Sequence, residues 1–173
     1  MGRTLLLVGR PGIGKTTVIR AVAEVLGEGA GGFYTEEIRR SGRRRGFRLE
    51  TLDGHEAVMA HVDLRGEGRP SVSRYGVDVG VIEDVGVAAL RRAMRERRIV
   101  VVDEIGKMEL FCGAFKDAVL DAVDGPCAVV ATAMIRPHPW VDALRARPQV
   151  AQWEVTRANR DELPERVVEW VRE

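Results

Sequence analysis

The segment Gly9-Arg10-Pro11-Gly12-Ile13-Gly14-Lys15-Thr16 contains residues whose types and spacing can bind phosphate. It fits the pattern of Gly, four residues, Gly, Lys and then Ser or Thr that is typical of a P-loop. Its three glycines let backbone N–H groups approach phosphate oxygens, and a helix that starts here adds its positive dipole end. We predict that Lys15 reaches the β and γ oxygens and that the Thr16 hydroxyl binds Mg²⁺.

The main alternative interpretation of this glycine-rich segment is a dinucleotide-binding fingerprint. Gly12-x-Gly14 is followed at the required third position by Thr17, where the fingerprint needs Gly or Ala. We therefore do not interpret the segment as a dinucleotide-binding fingerprint. Thr17, the next residue of the expected helix, completes the predicted phosphate-binding set.

A P-loop needs a second acidic element that holds magnesium, and Asp103 lies where this element is expected. It follows the β-branched run Ile99 to Val102 and is followed by Glu104. We predict that Asp103 binds the metal and that Glu104 orients, or accepts a proton from, the water that attacks the γ-phosphorus. The alternative is that both acids only cap the next turn.

Apolar periodicity indicates the elements that position these residues. Thr4 to Val8 is typical of a strand buried on both faces, and the spacing over Thr16 to Leu26 predicts a helix. Further strands are expected near 72–79, 99–102, 127–132 and 150–155, and helices over 83–97, 111–123, 140–145 and 161–171. This alternation predicts an α/β doubly wound sheet.

Two β-rich runs, Phe33 to Arg39 and Phe47 to Leu52, flank an arginine-rich stretch and predict an antiparallel hairpin. Its basic tip is either a solvated loop or a surface that meets phosphate or a partner such as nucleic acid. Residues 54–70 carry Gly, Pro and charges without strong periodicity and are expected to be an irregular connection.

Length and composition favour one domain over residues 1–173. The net charge of +1 gives no global attraction to nucleic acid or membrane. No apolar run approaches the roughly 20 residues that span a bilayer, and no signal peptide is recognisable, so a cytoplasmic location is expected. A monomer is the working expectation for the oligomeric state.

Several other polar residues are candidates for the site. Thr132 ends the strand that follows the acidic one and could sense the γ-phosphate. Lys107 and Arg136 lie in loops expected at the carboxyl edge of the sheet, where either could neutralise transition-state charge; we predict Lys107 as a catalytic cation. In the loop Thr156 to Arg160, Asn159 and Arg160 are expected to contact the nucleobase. For each of these residues a surface or capping role is the alternative.

The motif Asp103-Glu104-Ile105-Gly106-Lys107-Met108-Glu109-Leu110, after the P-loop, resembles a family of small nucleoside-triphosphatases. This family is called cancer-related nucleoside-triphosphatase in animals and is widespread in thermophilic prokaryotes. The resemblance runs nearly end to end, through Gly32 to Glu37, Gly42 to Phe47, Tyr75 to Asp78 and Val155 to Arg160. It implies a RecA-like P-loop fold, which is a three-layer sandwich with a mostly parallel sheet, and hydrolysis of several nucleotides including ATP and GTP.

Two other functions stay open at this point. One is a phosphotransferase, a nucleoside, nucleotide or polynucleotide kinase that moves the γ-phosphate to a hydroxyl; the other is a nucleotide-dependent switch that acts by binding. Glu104 favours hydrolysis, and residues 54–80 contain no recognisable acceptor motif. Phosphate release without an added acceptor separates hydrolysis from transfer.

Overall fold

A computed structural model describes residues 2–173 and contains one sheet of nine strands. The strands are β1 (Thr4–Val8), β2 (Ala30–Arg40), β3 (Arg43–Thr51), β4 (Glu56–His61), β5 (Ser71–Val72), β6 (Tyr75–Val77), β7 (Ile99–Ile105), β8 (Ala128–Ala133) and β9 (Val150–Glu154).

Helices cover both faces of this sheet. They are α1 (Lys15–Leu26), α2 (Val79–Val81), α3 (Ala88–Glu96), α4 (Gly113–Asp124), α5 (Pro139–Arg145) and α6 (Leu163–Arg172), with a π-helical segment (Ile82–Val87) joining α2 to α3. Short 3₁₀ turns occupy Gly27–Gly29, Val62–Leu64 and Glu109–Phe111.

The strand order is β5-β6-β4-β3-β2-β7-β8-β1-β9. The five strands from β2 to β9 are parallel, and β3, β4, β6 and β5 extend the sheet with antiparallel pairs. Strand β8 therefore separates β1, which leads into the P-loop, from β7, which carries the acidic pair. The carboxyl ends of the parallel strands meet at one edge, where ligands of open α/β sheets bind.

Strand β1 shows why the sheet is buried on both faces. Leu5 and Leu7 pack with α1 and α6, whereas Leu6 packs with the cluster that includes α3, α4 and α5. All three leucines are 0% exposed, and burying each side chain contributes roughly 1.5–3 kcal/mol. The result is the three-layer α/β/α arrangement that the family resemblance implies.

Most predicted elements are present. The strand expected near 72–79 is instead the two short strands β5 and β6, and the first turns of the helix expected over 83–97 are π-helical. The other differences lie in the antiparallel part. The hairpin turn is only Ser41 and Gly42, both with positive φ (51° and 74°), because the flanking arginines extend the two strands. Strand β4 lies within residues 54–70, where we expected an irregular connection. It pairs with β3, with Phe47 opposite Ala60, so the antiparallel region contains four strands beyond β2. No helix among residues 2–173 has the length and apolar character needed to cross a membrane.

Candidate active site

The P-loop connects the end of β1 to the start of α1, and its backbone explains the glycines. A Cβ on Gly9 would lie 2.9 Å from Ile13 Cγ2 and 3.0 Å from the Val155 carbonyl oxygen, so a side chain does not fit there. Gly12 and Gly14 have φ of 77° and 113°, which other residues rarely adopt. The loop therefore exposes its backbone at the carboxyl edge of the sheet.

Lys15 is held inside this loop. It is 8% exposed, and its Nζ donates hydrogen bonds to the carbonyl oxygens of Gly9 (2.6 Å) and Arg10 (3.4 Å). The first residue of α1 thus carries a positive charge at the centre of the loop. Arg10, Pro11 and Thr17 are exposed around it.

Asp103 lies opposite the P-loop, near the end of β7, and is 0% exposed. Its Oδ2 accepts hydrogen bonds from Thr16 Oγ1 (3.0 Å) and from the backbone N and Oγ1 of Thr35 (3.3 and 3.4 Å). Its Oδ1 accepts one from Thr132 Oγ1 at 2.5 Å. The carboxylate is thereby joined to α1, β2 and β8 at once.

Burial raises the pKa of Asp103, and the hydrogen bonds from Thr132, Thr35 and Thr16 oppose that rise. Among residues 2–173, no ion pair involves this carboxylate. A buried carboxylate that has hydroxyl donors but no cationic side chain is suited to an external cation.

The donor atoms here fit Mg²⁺. The Thr16 hydroxyl and the Asp103 carboxylate are hard oxygen ligands, and their oxygens lie 3.0 Å apart. Magnesium in phosphate sites is bound through one or two protein oxygens together with substrate phosphates. In the described part of the chain, no group of three or more His, Cys, Asp or Glu side chains could hold a metal alone.

Glu104 is the next residue of β7 and is half-buried. Burial raises its pKa most, the Lys15 charge lowers it, and the Asp103 charge raises it. A Cβ on Gly106 would lie 2.7 Å from Glu104 Oε1 and 3.1 Å from Glu109 Oε2, so both carboxyl groups approach this glycine. Any other residue at position 106 would displace them.

Glu109 is a third acid in this region, and it is only 4% exposed. Burial raises its pKa well above the ordinary value, and the Glu104 charge adds to the rise. The backbone N–H groups of Glu109 and Gly106 act in the opposite direction. The end of β7 and the turn that follows it therefore carry three acids whose charged forms are disfavoured by the protein.

The loop after β9 lies against the P-loop. Asn159 Oδ1 accepts from the Thr156 backbone N (2.8 Å), and its Nδ2 donates to the Glu154 carbonyl (2.8 Å). Arg160 donates from Nη1 to the Ile13 carbonyl (3.1 Å), and its Cδ is 3.5 Å from the Cβ position of Gly14. Arg160 therefore contacts the P-loop directly, Asn159 holds its own loop together, and the contact of either residue with a nucleobase stays a prediction.

The other candidate residues from the sequence differ in how they contact the site. Lys107 and Arg136 are exposed, and neither side chain makes a hydrogen bond or ion pair with any other residue in the range 2–173. The catalytic role of Lys107 stays a prediction. Thr132, by contrast, is buried and directly bonded to Asp103.

Thr35 is a site residue that the sequence reasoning did not single out. Its contacts with Asp103 join positions 68 residues apart, and a lone threonine in a strand gives no local signal of such a contact. The only pointer was its place in the segment Gly32 to Glu37 that carries the family resemblance.

The strand order, the P-loop and the acidic strand end define a P-loop nucleotide-binding protein of the α/β class. A family model described as NTPase matches residues 4–168. The chain belongs to this NTPase family.

Relatives and solved structures agree with this assignment. Nucleoside-triphosphatase THEP1 of Thermotoga petrophila is 43% identical over 92% of this chain and 87% of its own length. The human cancer-related nucleoside-triphosphatase is 37% identical over 94% of this chain and 93% of its own. The crystal structure of THEP1 from Aquifex aeolicus covers 98% of this chain and 99% of its own, with a TM-score of 0.89 and 36% identity. The solution structure of the human protein has a TM-score of 0.84 at 37% identity, covering 98% and 97%.

Proposed function

We propose that this protein is a Mg²⁺-dependent nucleoside-triphosphatase that hydrolyses ATP, GTP and other nucleoside triphosphates to the diphosphate and phosphate. The observation that carries the proposal is the Thr16–Asp103 hydrogen bond of 3.0 Å, which joins the P-loop to the acidic strand end. Relatives named nucleoside-triphosphatase, at 37–43% identity over most of the chain, support the same reaction.

The P-loop binds the substrate through its phosphates. Backbone N–H groups of residues 9–14 and the start of α1 supply partial positive charge to the oxygens, and Lys15 supplies a full one. Because Lys15 is held within the loop by the Gly9 carbonyl, its ammonium needs little movement to reach the β and γ oxygens.

Thr16 and Asp103 are the residues that would hold magnesium. When bound there, Mg²⁺ supplies positive charge that balances the phosphate oxygens. Thr35 and Thr132 fix the Asp103 carboxylate from two sides, so its orientation is set before a ligand arrives.

Glu104 acts as the general base for the attacking water. The water oxygen forms a bond to the γ-phosphorus as the bond to the bridging oxygen breaks, and the Glu104 carboxylate takes the water proton. Its raised pKa makes it a better proton acceptor than an exposed glutamate, while the Lys15 charge keeps the ionised form accessible. Lys107, on the exposed loop that follows, is the cation proposed to balance charge in the transition state.

The protein is expected to discriminate only modestly between the adenine and guanine of its substrates. Asn159 has its carbonyl oxygen and one N–H engaged inside its own loop, which leaves one amide N–H and the Arg160 guanidinium to meet a base. Two such contacts do not separate adenine strongly from guanine.

The test measures phosphate release from ATP and from GTP without an added acceptor, in Mg²⁺ and in excess chelator. We expect release from both nucleotides in Mg²⁺ and none in chelator. Asp103→Asn should require more Mg²⁺ for half-maximal rate, because the amide is a weaker ligand for a hard cation. Formation of a nucleoside monophosphate from an added nucleoside, with no phosphate released in its absence, would instead identify a phosphotransferase.

A further inference from the structure

The positive charge of this protein is concentrated at one end of the sheet. Residues 37–45 and 62–74, together the arginine end, contain eight arginines and three acids, an excess of five positive charges. The whole chain carries +1, so the rest of the molecule is net negative. The arginines are Arg39, Arg40, Arg43, Arg44, Arg45, Arg65, Arg69 and Arg74, and the acids are Glu37, Asp63 and Glu67.

The fold brings these two segments together. Arg45 pairs with Asp63 (3.4 Å), and Arg74 donates to the Arg44 carbonyl oxygen. The Cβ position of Gly76 lies 2.3 Å from the Leu64 carbonyl carbon, which packs the second segment against β6. The positively charged side chains of the two segments therefore lie on one surface of the folded protein.

Several of these arginines are fixed by neighbouring rings. Arg44 and Arg74 both donate to the Tyr75 hydroxyl (3.0 and 3.3 Å), and the Arg44 guanidinium lies 5.2 Å from the Phe47 ring centroid. Arg44 also forms an ion pair with Glu37 (2.9 Å), and Arg39 pairs with the same carboxylate. Less conformational entropy is lost when guanidinium groups fixed in this way bind a ligand.

The hairpin tip projects from the sheet. Strand β2 pairs with β7 only as far as Phe33, and β3 pairs with β4 only from Gly46 onward. Beyond these points the chain is a two-stranded ribbon that turns at Ser41 and Gly42. Arg40 and Arg43 face each other across this ribbon, are exposed, and make no side-chain hydrogen bond or ion pair within residues 2–173.

We propose that the arginine end is a binding surface for double-stranded DNA, which it contacts through the phosphates. A two-stranded β-ribbon fits the major groove of B-form DNA, which is about 12 Å wide. Guanidinium groups bind phosphate oxygens in a bidentate manner. Arg40 and Arg43 at the tip have the free guanidinium groups for these contacts, and the fixed arginines behind them extend the positive field along the backbone.

The surface is less suited to a single strand. Unpaired bases are bound mainly by stacking on exposed aromatic rings. At this end Tyr75 is 5% exposed and Phe47 is half-buried beneath Arg44, so neither offers an open ring face. Phosphate contacts to a regular duplex do not need such a platform.

The experiment measures fluorescence anisotropy of a labelled DNA duplex of about 20 base pairs, titrated with full-length protein between about 50 and 200 mM salt. The test variant is Arg40→Gln with Arg43→Gln. The matched control is Arg95→Gln with Arg98→Gln, which removes the same charge from exposed arginines near the opposite, amino edge of the sheet. The single strand and polyglutamate are measured in parallel.

We expect the wild type and the control to bind the duplex alike. Loss of two phosphate contacts should make the slope of log affinity against log salt shallower by roughly 2 and raise Kd by roughly tenfold for each contact at low salt. Nucleotide hydrolysis should be unchanged in both variants, which verifies that they fold.

Three results would overturn the assignment. The first is no duplex binding at the lowest salt, and the second is equal weakening in the tip variant and the control. The third is binding of the single strand or of polyglutamate at least as tight as binding of the duplex. The last result would reassign the surface to a single strand or to an acidic protein.

Discussion

Two groups of acidic side chains in this molecule have opposite electrostatic environments. On the sheet surface, Glu36 lies within 2.6 Å of Arg48 and 3.7 Å of Arg20. A hydrogen bond from the Glu50 carboxyl, and Arg48 after it, lower the pKa of Glu36 to about 2. At the end of β7 and in the turn after it, the pKa values of Asp103, Glu104 and Glu109 are all raised, first by burial.

The difference distinguishes acids whose charge the protein itself balances from acids whose charge it leaves uncompensated. The charge of Glu36 is balanced by the protein itself, so it needs nothing from outside. Asp103 and Glu109 are buried, Glu104 is half-buried, and none of the three forms an ion pair with a cationic side chain within residues 2–173, so their ionisation in the folded state costs free energy. A bound cation or a proton would offset that cost, and the proposed reaction involves both.

The largest expected effect is that of Lys15→Ala. Lys15 is the cation whose charge acts on Glu104, and its removal leaves the β and γ oxygens uncompensated, so turnover should be abolished. Lys116→Ala, on α4, is the matched control. Phosphate release near the wild-type rate in Lys15→Ala, after removal of contaminating hydrolases, would contradict the P-loop assignment.

Glu104→Gln should separate binding from catalysis. The substitution keeps the shape but removes the proton acceptor, so kcat should fall by about a hundredfold to ten-thousandfold. Nucleotide affinity should stay within a few-fold. Glu50→Gln, in the surface group, is the control and should leave kcat within about twofold, because Glu50 pairs with Arg48 and Arg20 and does not contact the P-loop or Asp103. Full hydrolysis by Glu104→Gln would move the proposed proton acceptor to Glu109.

A smaller effect is expected for the loop after β9. Asn159→Ala and Arg160→Ala should raise KM or change the ratio of ATP to GTP hydrolysis by a few-fold, which is about 1 kcal/mol. The two nucleotides are compared in each variant. Unchanged constants for both would restrict these residues to holding their loop and the P-loop backbone in place.

The smallest effect concerns stability, and its sign should differ between the two groups. Glu109→Gln removes a charge that burial disfavours, so it should raise the free energy of unfolding at pH 8 by on the order of 1 kcal/mol. Glu36→Gln removes a favourable exposed pair and should lower it by less than about 1 kcal/mol. Thermal unfolding of both variants and the wild type checks the signs.

The pH dependence of these two differences follows from the pKa shifts. The pKa of Glu36 is lowered, so its contribution is complete above about pH 4.5 and is lost as the pH falls toward 2. The pKa of Glu109 is raised, so the folded state loses stability relative to the unfolded one as the pH rises from 4.5 through the folded value. The Glu109→Gln gain should therefore disappear in acid. A gain that persists at pH 4 would contradict this account of the buried acid.

The sequence predicted the parallel core and the P-loop well because both have local signals. The apolar run of β1 matches the strand residue for residue, and α1 starts within one residue of its prediction. The antiparallel part was predicted less well. The consecutive arginines at 43–45 are typical of a loop and concealed the first part of β3, which pairs with Arg39 and Arg40 of β2. Strand β4 was missed because residues 54–70 show no strong periodicity.

The site was predictable as a list of residues but not as a geometry. Asp103 and Glu104 followed from their position after a buried run, whereas the contacts of Thr35 and Thr132 depend on which strands become neighbours. The hydrogen bonds that engage Asn159 within its own loop were likewise not visible in the sequence, because they involve the backbone at residues 154 and 156.

The hydrogen bonds around Asp103 have a consequence for folding. Its partners Thr16, Thr35 and Thr132 lie 87, 68 and 29 residues away in the chain. Contacts between distant positions close late, after the entropy of long loops has been lost. During synthesis, a chain that ends before β8 has the complete P-loop but lacks Thr132. Hydrolytic activity should therefore return only in the last phase of refolding. Recovery of activity then indicates that the sheet is complete, whereas recovery of helix content does not.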